Sequence, residues 1–307
     1  MCNISKLLAV FVVSSILASN AFAAELISSV VQVVDAENAA QPALILLSAD
    51  GRVLHVASNQ TEALAQFKLA ALTGSALEIT FDDLGKTDLV SSVRVLAEDS
   101  AQAAHGNVST LSSVAALLRA RSLQDFAGSA DSVTPDAPGY TPTVLPSYDY
   151  AVSVFNSLNT RMKKKSECFM RAHLWAYDMS TRLGIKSEKT FLFFTSKYIR
   201  EYSYKWWFHV APMVYVPEGQ LMMDPEFADM PLTLKNWTDS FMENKVDCPV
   251  APTYGAYRTN QEASDCYVRQ VPMYYYQPSS VEQADAKGET LLNWVEWDLK
   301  NMKKGDK

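Results

Sequence analysis

A run rich in proline and glycine divides this 307-residue chain. Residues 128–147 hold four prolines and two glycines. This composition disfavours both helix and sheet, so it predicts a loop or linker. It is either a plain interdomain joint or a place where a protease cuts the chain. The length of the chain suits two domains with separate cores. We therefore expect an N-terminal domain at residues 24–127 and a second domain at residues 148–307.

The first residues have the pattern of an export signal. Lys6 precedes an apolar run at residues 7–17, and Ala21-Phe22-Ala23 fits the small-x-small pattern of a cleavage site. We expect residues 1–23 to be a signal peptide and the mature protein to be secreted or periplasmic. No other stretch approaches the roughly 18 apolar residues of a membrane span, so no membrane partner is expected.

The N-terminal domain is predicted to be a small, acidic α+β unit. Residues 24–130 contain 12 acidic and 6 basic residues, and the whole chain has a net charge of −7, which argues against nucleic-acid binding. Alternating Val, Ile and Leu predict strands, and a helix with Gly74 as its stop lies between the third and the fourth. The predicted strands are residues 26–34, 43–47, 53–57, 76–81 and 91–97, and the predicted helices are residues 61–72 and 109–126.

One cysteine lies at the start of an amphipathic helix in the second domain. Ser166 can cap this helix and Gly184 can end it, which places Cys168 in the first turn. The positive end of the helix dipole favours an anion there, so the thiol is expected to ionise more easily than its usual pKa of about 8.5 implies. The alternative is a buried structural cysteine.

A histidine and an aspartate follow in the next predicted strands. His209 lies in a strand-like aromatic run, and Asp224 ends the following one. In the order cysteine, histidine, aspartate they are candidates for nucleophile, base and orienting residue. Each also has a plain explanation, because His209 can be a core histidine and Asp224, before Pro225, can be a turn former.

Three cysteines remain after the signal peptide and Cys2 are removed. Cys248 and Cys266 lie in a loop rich in proline and tyrosine, and in an oxidising compartment they are expected to form a disulfide. That leaves Cys168 as a reactive thiol or an intermolecular link. A bridge between Cys168 and either of the other two is the open alternative, and it would exclude a catalytic role.

Other residues near the candidate triad carry weaker expectations. Alternation along the strand puts Trp207 on the face of His209, where it either lines an amide-binding slot or packs in the core. Ser166 either contacts substrate or only caps the helix. His173 points away from the thiol, which favours a structural or surface role. Pro212 predicts an edge strand or a bulge just after the histidine. A final helix is expected at residues 289–303.

No cofactor is expected from the sequence. The four histidines show no i,i+4 pair, and the cysteines are not closely spaced, so a metal site is not indicated. A glycine-rich phosphate loop is also missing from the sequence.

The combination of three ordered motifs resembles the bacterial protein glutaminases. These motifs are Cys168 to His173 at a helix start, Trp207 to Ala211 on a strand, and Met223-Asp224-Pro225 before a helix that contains tryptophan. The resemblance covers residues 148–276. It implies an α+β protein in which the helix that carries the cysteine packs on an antiparallel sheet in a papain- or transglutaminase-like domain, preceded by a propeptide. The unit at residues 24–127 occupies the propeptide position.

By this resemblance the activity is deamidation of glutamine side chains in proteins or peptides. Cys168 is then the nucleophile, His209 the general acid and base, and Asp224 the residue that orients the imidazole. The expected partners are substrates with exposed glutamine and the intramolecular propeptide. The same triad suits a transglutaminase or a cysteine peptidase. A secreted, non-enzymatic binding module with structural cysteines is the remaining alternative.

Overall fold

The computed structural model describes residues 23–48, 50–84, 87–96, 140–158 and 167–294. The signal peptide, apart from its last residue Ala23, and the helix predicted at residues 109–126 lie outside the described residues. The described chain is α+β, with helices packed on antiparallel strands, as expected from the sequence.

The N-terminal unit is a closed five-stranded barrel with one helix. Its strands are β1 (Ala23–Val34), β2 (Ala43–Leu47), β3 (Val53–Val56), β4 (Ala76–Leu84) and β5 (Thr87–Val95), arranged in the order β1-β2-β3-β5-β4. The helix α1 (Thr61–Thr73) ends at Gly74, which has a φ of +74°. Phe67 of α1 lies in the barrel core together with Ile45 and Leu77.

Strand β2 is buried on both faces because it belongs to two cores. Ala43, Ile45 and Leu47 face the barrel interior. The alternate residues Leu44 and Leu46 belong to the core of the second unit. Successive side chains of a strand point to opposite faces, so the outer face of the barrel is covered by the second unit.

The second unit is a five-stranded antiparallel sheet with helices around it. The elements of this unit in chain order are α2 (Tyr148–Ser157), α3 (Cys168–Leu183), β6 (Glu188–Phe194), α4 (Ser196–Tyr202), β7 (Phe208–Val216), β8 (Gly219–Met222), β9 (Leu232–Thr233), α5 (Leu234–Asp239), α6 (Tyr254–Thr259), β10 (Cys266–Pro272) and α7 (Pro278–Lys287). The strands have the order β10-β6-β7-β8-β9, and α3 packs on this sheet mainly against β7.

The expectation of an edge strand at Pro212 was wrong. Strand β7 is central, with β6 on one side and β8 on the other, and its register with β6 is regular through Pro212. The carbonyl of Pro212 accepts a hydrogen bond from the N–H of Met223, just beyond the end of β8. The nitrogen and the carbonyl of one residue point to the same side of a strand. The nitrogen of Pro212 therefore faces Met223 but has no hydrogen to donate to its carbonyl, and the ladder with β8 ends at Met213.

Two loop regions also differ from expectation. The described end of the predicted linker packs on the second unit, since the N–H of Leu145 donates to the carbonyl of Tyr215 at 2.7 Å. At the other end, residues 289–294 are not helical, and the rest of the predicted helix at residues 289–303 lies outside the described residues. Trp294 instead packs against Tyr177 and Tyr274.

Cys248 and Cys266 form a disulfide that closes a sequence separation of 18 residues. It ties the start of β10 to the loop before α6. None of the helices in the described residues has the length and apolarity needed to cross a membrane.

The turn between β2 and β3 joins the two units through backbone hydrogen bonds. The N–H of Trp207 donates to the carbonyl of Gly51 at 3.0 Å, and the N–H of Val53 donates to the carbonyl of Lys205 at 2.7 Å. Between them, Arg52 and Trp206 form an antiparallel bridge. The tip of the barrel is therefore attached to the chain just before β7.

Gly51 should be the most sensitive glycine of this contact. Its φ is +77°, and a Cβ there would lie 2.7 Å from Cε1 of the buried Phe208 ring. We expect Gly51→Ala to lower the free energy of unfolding by about 2–4 kcal/mol, because backbone strain adds to overpacking.

Gly184→Ala is the matched control, since Gly184 has a φ of +66° but open space around its Cβ position. Strain alone should cost it about 1 kcal/mol. Denaturant melts of both variants test this, and equal losses would contradict the proposed contact with Phe208.

Candidate active site

Cys168 is the first residue of α3. Glu167 is the N-cap residue and makes no side-chain capping bond. The predicted cap, Ser166, lies outside the described residues, so neither of its expected roles can be located. The helix ends at Gly184 as expected, and Phe169, Ala172 and Met179 of its apolar face are buried.

His209 and Asp224 form a buried hydrogen bond. Nε2 of His209 lies 2.7 Å from Oδ2 of Asp224, and both residues are less than a tenth exposed. A carboxylate can only accept here, so Nε2 carries the proton and Nδ1 is left as the basic nitrogen. Strand β7 supplies the histidine and the end of β8 supplies the aspartate, which is why residues 15 positions apart meet.

Trp237 completes this pair and was not assigned to the site from the sequence. Its Nε1–H donates to the same Oδ2 of Asp224 at 2.9 Å, and the side chain is fully buried. The ring of His209 is packed between Phe227 and Phe241, with centroid distances of 4.9 and 4.4 Å. The signal available in the sequence was the tryptophan-containing helix that follows Met223-Asp224-Pro225.

Cys168 and His209 line one cavity of about 170 Å³. Its polar wall consists of Asp50 from the barrel turn with Glu167 and Arg171 from the start of α3. The remaining wall is aromatic and consists of Phe194, Tyr204, Trp206, Phe208, Phe227 and Phe241. Such a site can take a small, partly apolar group that ends in a polar function.

The thiol of Cys168 and the imidazole of His209 face the same cavity, and direct contact between them stays a prediction. The sulfur lies near the backbone N–H of Val210, which lowers the pKa of the thiol.

The expectation of an easily ionised thiol was wrong. Burial raises the pKa of Cys168 from 9.0 to about 12 and outweighs the opposite effect of Arg171. Cys168 is itself intermediate in exposure, and Asp50, at the tip of the barrel turn, lines the same cavity. Desolvation disfavours the thiolate more than a helix end stabilises it.

Trp207 does not line this cavity. It is 1% exposed, and its indole N–H donates to the carbonyl of Leu47 at 2.9 Å, so it fastens the barrel to the second unit. Trp206 lines the cavity in its place. The strand β7 begins only at Phe208, so the alternation assumed for the sequence does not extend back to the two tryptophans.

His173 lies away from the cavity and is fully buried. Its Nδ1 is 2.7 Å from Nζ of Lys189, and burial lowers the pKa of both side chains. This position agrees with a structural role. The free cysteine among the described residues is Cys168, and they contain no group of three or more His, Cys, Asp or Glu residues placed to hold a metal.

The fold and the cavity define an α+β protein with a cysteine at a helix start facing a buried histidine–aspartate pair. Residues 152–241 match the family model described as glutaminase. This stretch includes Cys168, His209, Asp224 and Trp237, so the triad residues singled out from the sequence lie within the part of the chain that is similar to glutaminases. No curated protein shows significant similarity to the chain.

Solved structures of protein-glutaminases are similar at low identity. A mutant of pro-protein-glutaminase is 14% identical over 82% of this chain and 84% of its own, with a TM-score of 0.47. Pro-protein-glutaminase itself is 13% identical over 82% and 83%, with a TM-score of 0.44. The protein-glutaminase from Chryseobacterium proteolyticum is 17% identical over 46% and 80%, with a TM-score of 0.29.

The raised pKa of Cys168 predicts slow alkylation of the full chain. With a thiol pKa of about 12, iodoacetamide should label Cys168 at pH 7.5 about 100-fold or more slowly than a free cysteine peptide, because little thiolate is present. Mass spectrometry of the modified peptide measures the rate, and the peptide from Cys168→Ser serves as the blank. Labelling of Cys168 as fast as the free peptide would contradict the raised pKa of the thiol.

Proposed function

We propose that the chain is a protein-glutamine glutaminase, which converts glutamine side chains of proteins or peptides to glutamate and ammonia. The observation that carries the proposal is the shared cavity of Cys168 and His209, with His209 bonded to Asp224, inside the stretch that matches the glutaminase family. We assign Cys168 as nucleophile, His209 as general acid and base, and Asp224 as the residue that orients the imidazole.

The reaction proceeds through a thioester. His209 Nδ1 takes the proton of the thiol, and the sulfur of Cys168 attacks the carbon of the side-chain amide. The C–N bond then breaks, and ammonia leaves with the proton from His209. In the second half His209 deprotonates a water molecule, which attacks the thioester and releases the glutamate side chain and the thiol.

Two features of the site support this chemistry. The backbone N–H of Cys168 is in the first turn of α3, where amides have no partner within the helix, so it can stabilise the tetrahedral oxyanion. The bond from Asp224 fixes the tautomer with the proton on Nε2 and stabilises the imidazolium that forms during transfer.

We further propose that the barrel is the propeptide of a zymogen. Asp50 closes one side of the cavity, and the bonds of Gly51 and Val53 to residues 205–207 hold it there. A substrate side chain and Asp50 compete for the same space. The chain would be exported through residues 1–23, folded as residues 24–127 and 148–307, and activated by cleavage within residues 128–147.

Replacement of Cys168 tests the nucleophile. We expect Cys168→Ala to reduce ammonia release from a casein substrate to background, because no other described thiol is free to form the thioester. The full chain is assayed before and after limited proteolysis, and circular dichroism confirms that the variant is folded.

Two further readouts on the same samples separate the rival activities. Incorporation of a fluorescent amine would indicate a transglutaminase, and new N-termini in casein would indicate a peptidase. Ammonia release by Cys168→Ala would overturn the assignment of the nucleophile. A processed wild-type protein that is inactive in all three assays would favour a binding module.

Trp237 should act by positioning Asp224. Trp237→Phe keeps an aromatic ring but removes the N–H that bonds to Oδ2 at 2.9 Å. We expect kcat to fall about 10-fold with little change in KM, since the bond is one of two that hold the carboxylate.

Trp175→Phe is the matched control, because Trp175 is equally buried but lies in a separate core cluster. It should lose a similar amount of stability and retain kcat. An equal fall of kcat in both variants would assign Trp237 a purely structural role.

A further inference from the structure

Two carboxylates from different units share the cavity. Asp50 comes from the turn of the barrel and Glu167 from the residue before Cys168, and both line the same space. Within the described residues, the side chain of Glu167 forms no hydrogen bond or ion pair, although it is half-buried. A carboxylate in this position is disfavoured by lost hydration and by the second negative charge.

The nearby cations do not remove this conflict. Arg52 is engaged by Asp50 at 3.1 Å and by the fully buried Asp88 at 2.9 Å. Lys205 pairs with Asp88 at 2.8 Å. The charged and titratable groups that face Glu167 are Asp50 and Arg52 from the turn, Cys168 and Arg171 from α3, and Tyr204 and His209 across the cavity.

We propose that docking of the barrel on the second unit, beside Cys168, is coupled to a proton held by Glu167 and Asp50. Docking is then strong in acid and becomes weaker towards neutral pH. This inference concerns the regulation of the site and rests on the proposed function only for its biological meaning. The contact itself is a property of the folded chain.

The electrostatic balance supports the direction of this coupling. Burial, and then the charge of Asp50, raise the pKa of Glu167 from 4.5 to about 7, against smaller opposite effects of Arg171 and Arg52. Burial also raises the pKa of Asp50. When the barrel leaves, each carboxyl group loses the other and regains water, so its pKa falls back towards its ordinary value.

The direction of the pH dependence follows from the linkage between proton binding and docking. A carboxyl group with a raised pKa in the docked state favours docking in its protonated form. Its contribution is complete below pH 4.5 and disappears as the pH rises to about 7. Across this interval the docking equilibrium constant should fall about 100-fold.

Hydrogen exchange of the full chain tests the proposal without any assay of activity. The contact between the barrel turn at residues 50–53 and residues 205–207 of the second unit is called the seam. The amide of Trp207 bonds across it to the carbonyl of Gly51, and the amide of Val53 to that of Lys205, so both amides report undocking. The amide of Phe194, which bonds to the carbonyl of Trp207 within the second unit, reports opening of the sheet. Protection factors, which correct for the intrinsic pH dependence of exchange, are measured between pH 4.5 and 8.

In the wild type, protection of the two seam amides should fall about 100-fold as the pH rises, while that of Phe194 falls much less. Glu167→Gln removes the titrating group and should keep the seam protected at pH 8. Asp50→Asn should act in the same direction, because its amide oxygen can still accept the bond from the N–H of Arg52.

Glu37→Gln is the matched control. Glu37 pairs with Arg200 between the same two units at 3.1 Å but is half exposed and outside the cavity. This variant should lower seam protection and retain its pH dependence. Seam protection that does not change with pH in the wild type, or that changes equally in Glu167→Gln, overturns the proposal. Absence of ammonia release with an intact pH response would instead overturn the proposed function alone.

Discussion

The candidate site depends on the buried carboxylate of Asp224. An ionised carboxylate that is 1% exposed loses several kcal/mol of hydration, so it needs donors within the protein. Its side-chain donors His209 and Trp237 both use the same oxygen, Oδ2. One atom therefore fixes the start of β7, the end of β8 and the helix α5 relative to one another. The imidazole of His209 is oriented because its Nε2–H donates a hydrogen bond to this carboxylate.

The pKa of the Cys168 thiol is set by desolvation more than by its position at the helix start. The N-terminal end of a helix stabilises an anion by roughly 0.3–1 kcal/mol, which corresponds to less than about one pH unit in a pKa. Burial raises the pKa of Cys168 from 9.0 to about 12, which is the larger effect. Under the proposed zymogen function, removal of the barrel would let more water into the cavity, and the position of Cys168 at the helix start would then matter more for its pKa.

Local signals predicted much of the fold, but contacts between distant segments were not predictable. Gly184 ended its helix at a φ of +66°, because only local backbone geometry was needed. The alternation rule failed at Trp207, since the strand begins one residue later and the side chain packs on the barrel. The role of Trp237 required knowing that α5 lies beside Asp224. The raised pKa of Cys168 required knowing how the thiol is buried in the folded chain, beside a cavity that is also lined by a turn more than 100 residues earlier.

The contact between the two units combines apolar packing with pairs of charged side chains. Leu44 and Leu46 insert into the core of the second unit, and burial of such side chains is insensitive to pH. The acidic barrel also meets Arg200 and Lys205, whose pairs weaken with salt. A cut in residues 128–147 would turn an intramolecular contact into a bimolecular one without removing any contact across the seam. Under the proposed zymogen function, release of the barrel would therefore depend on dilution and on the charges at the cavity as well as on the cut.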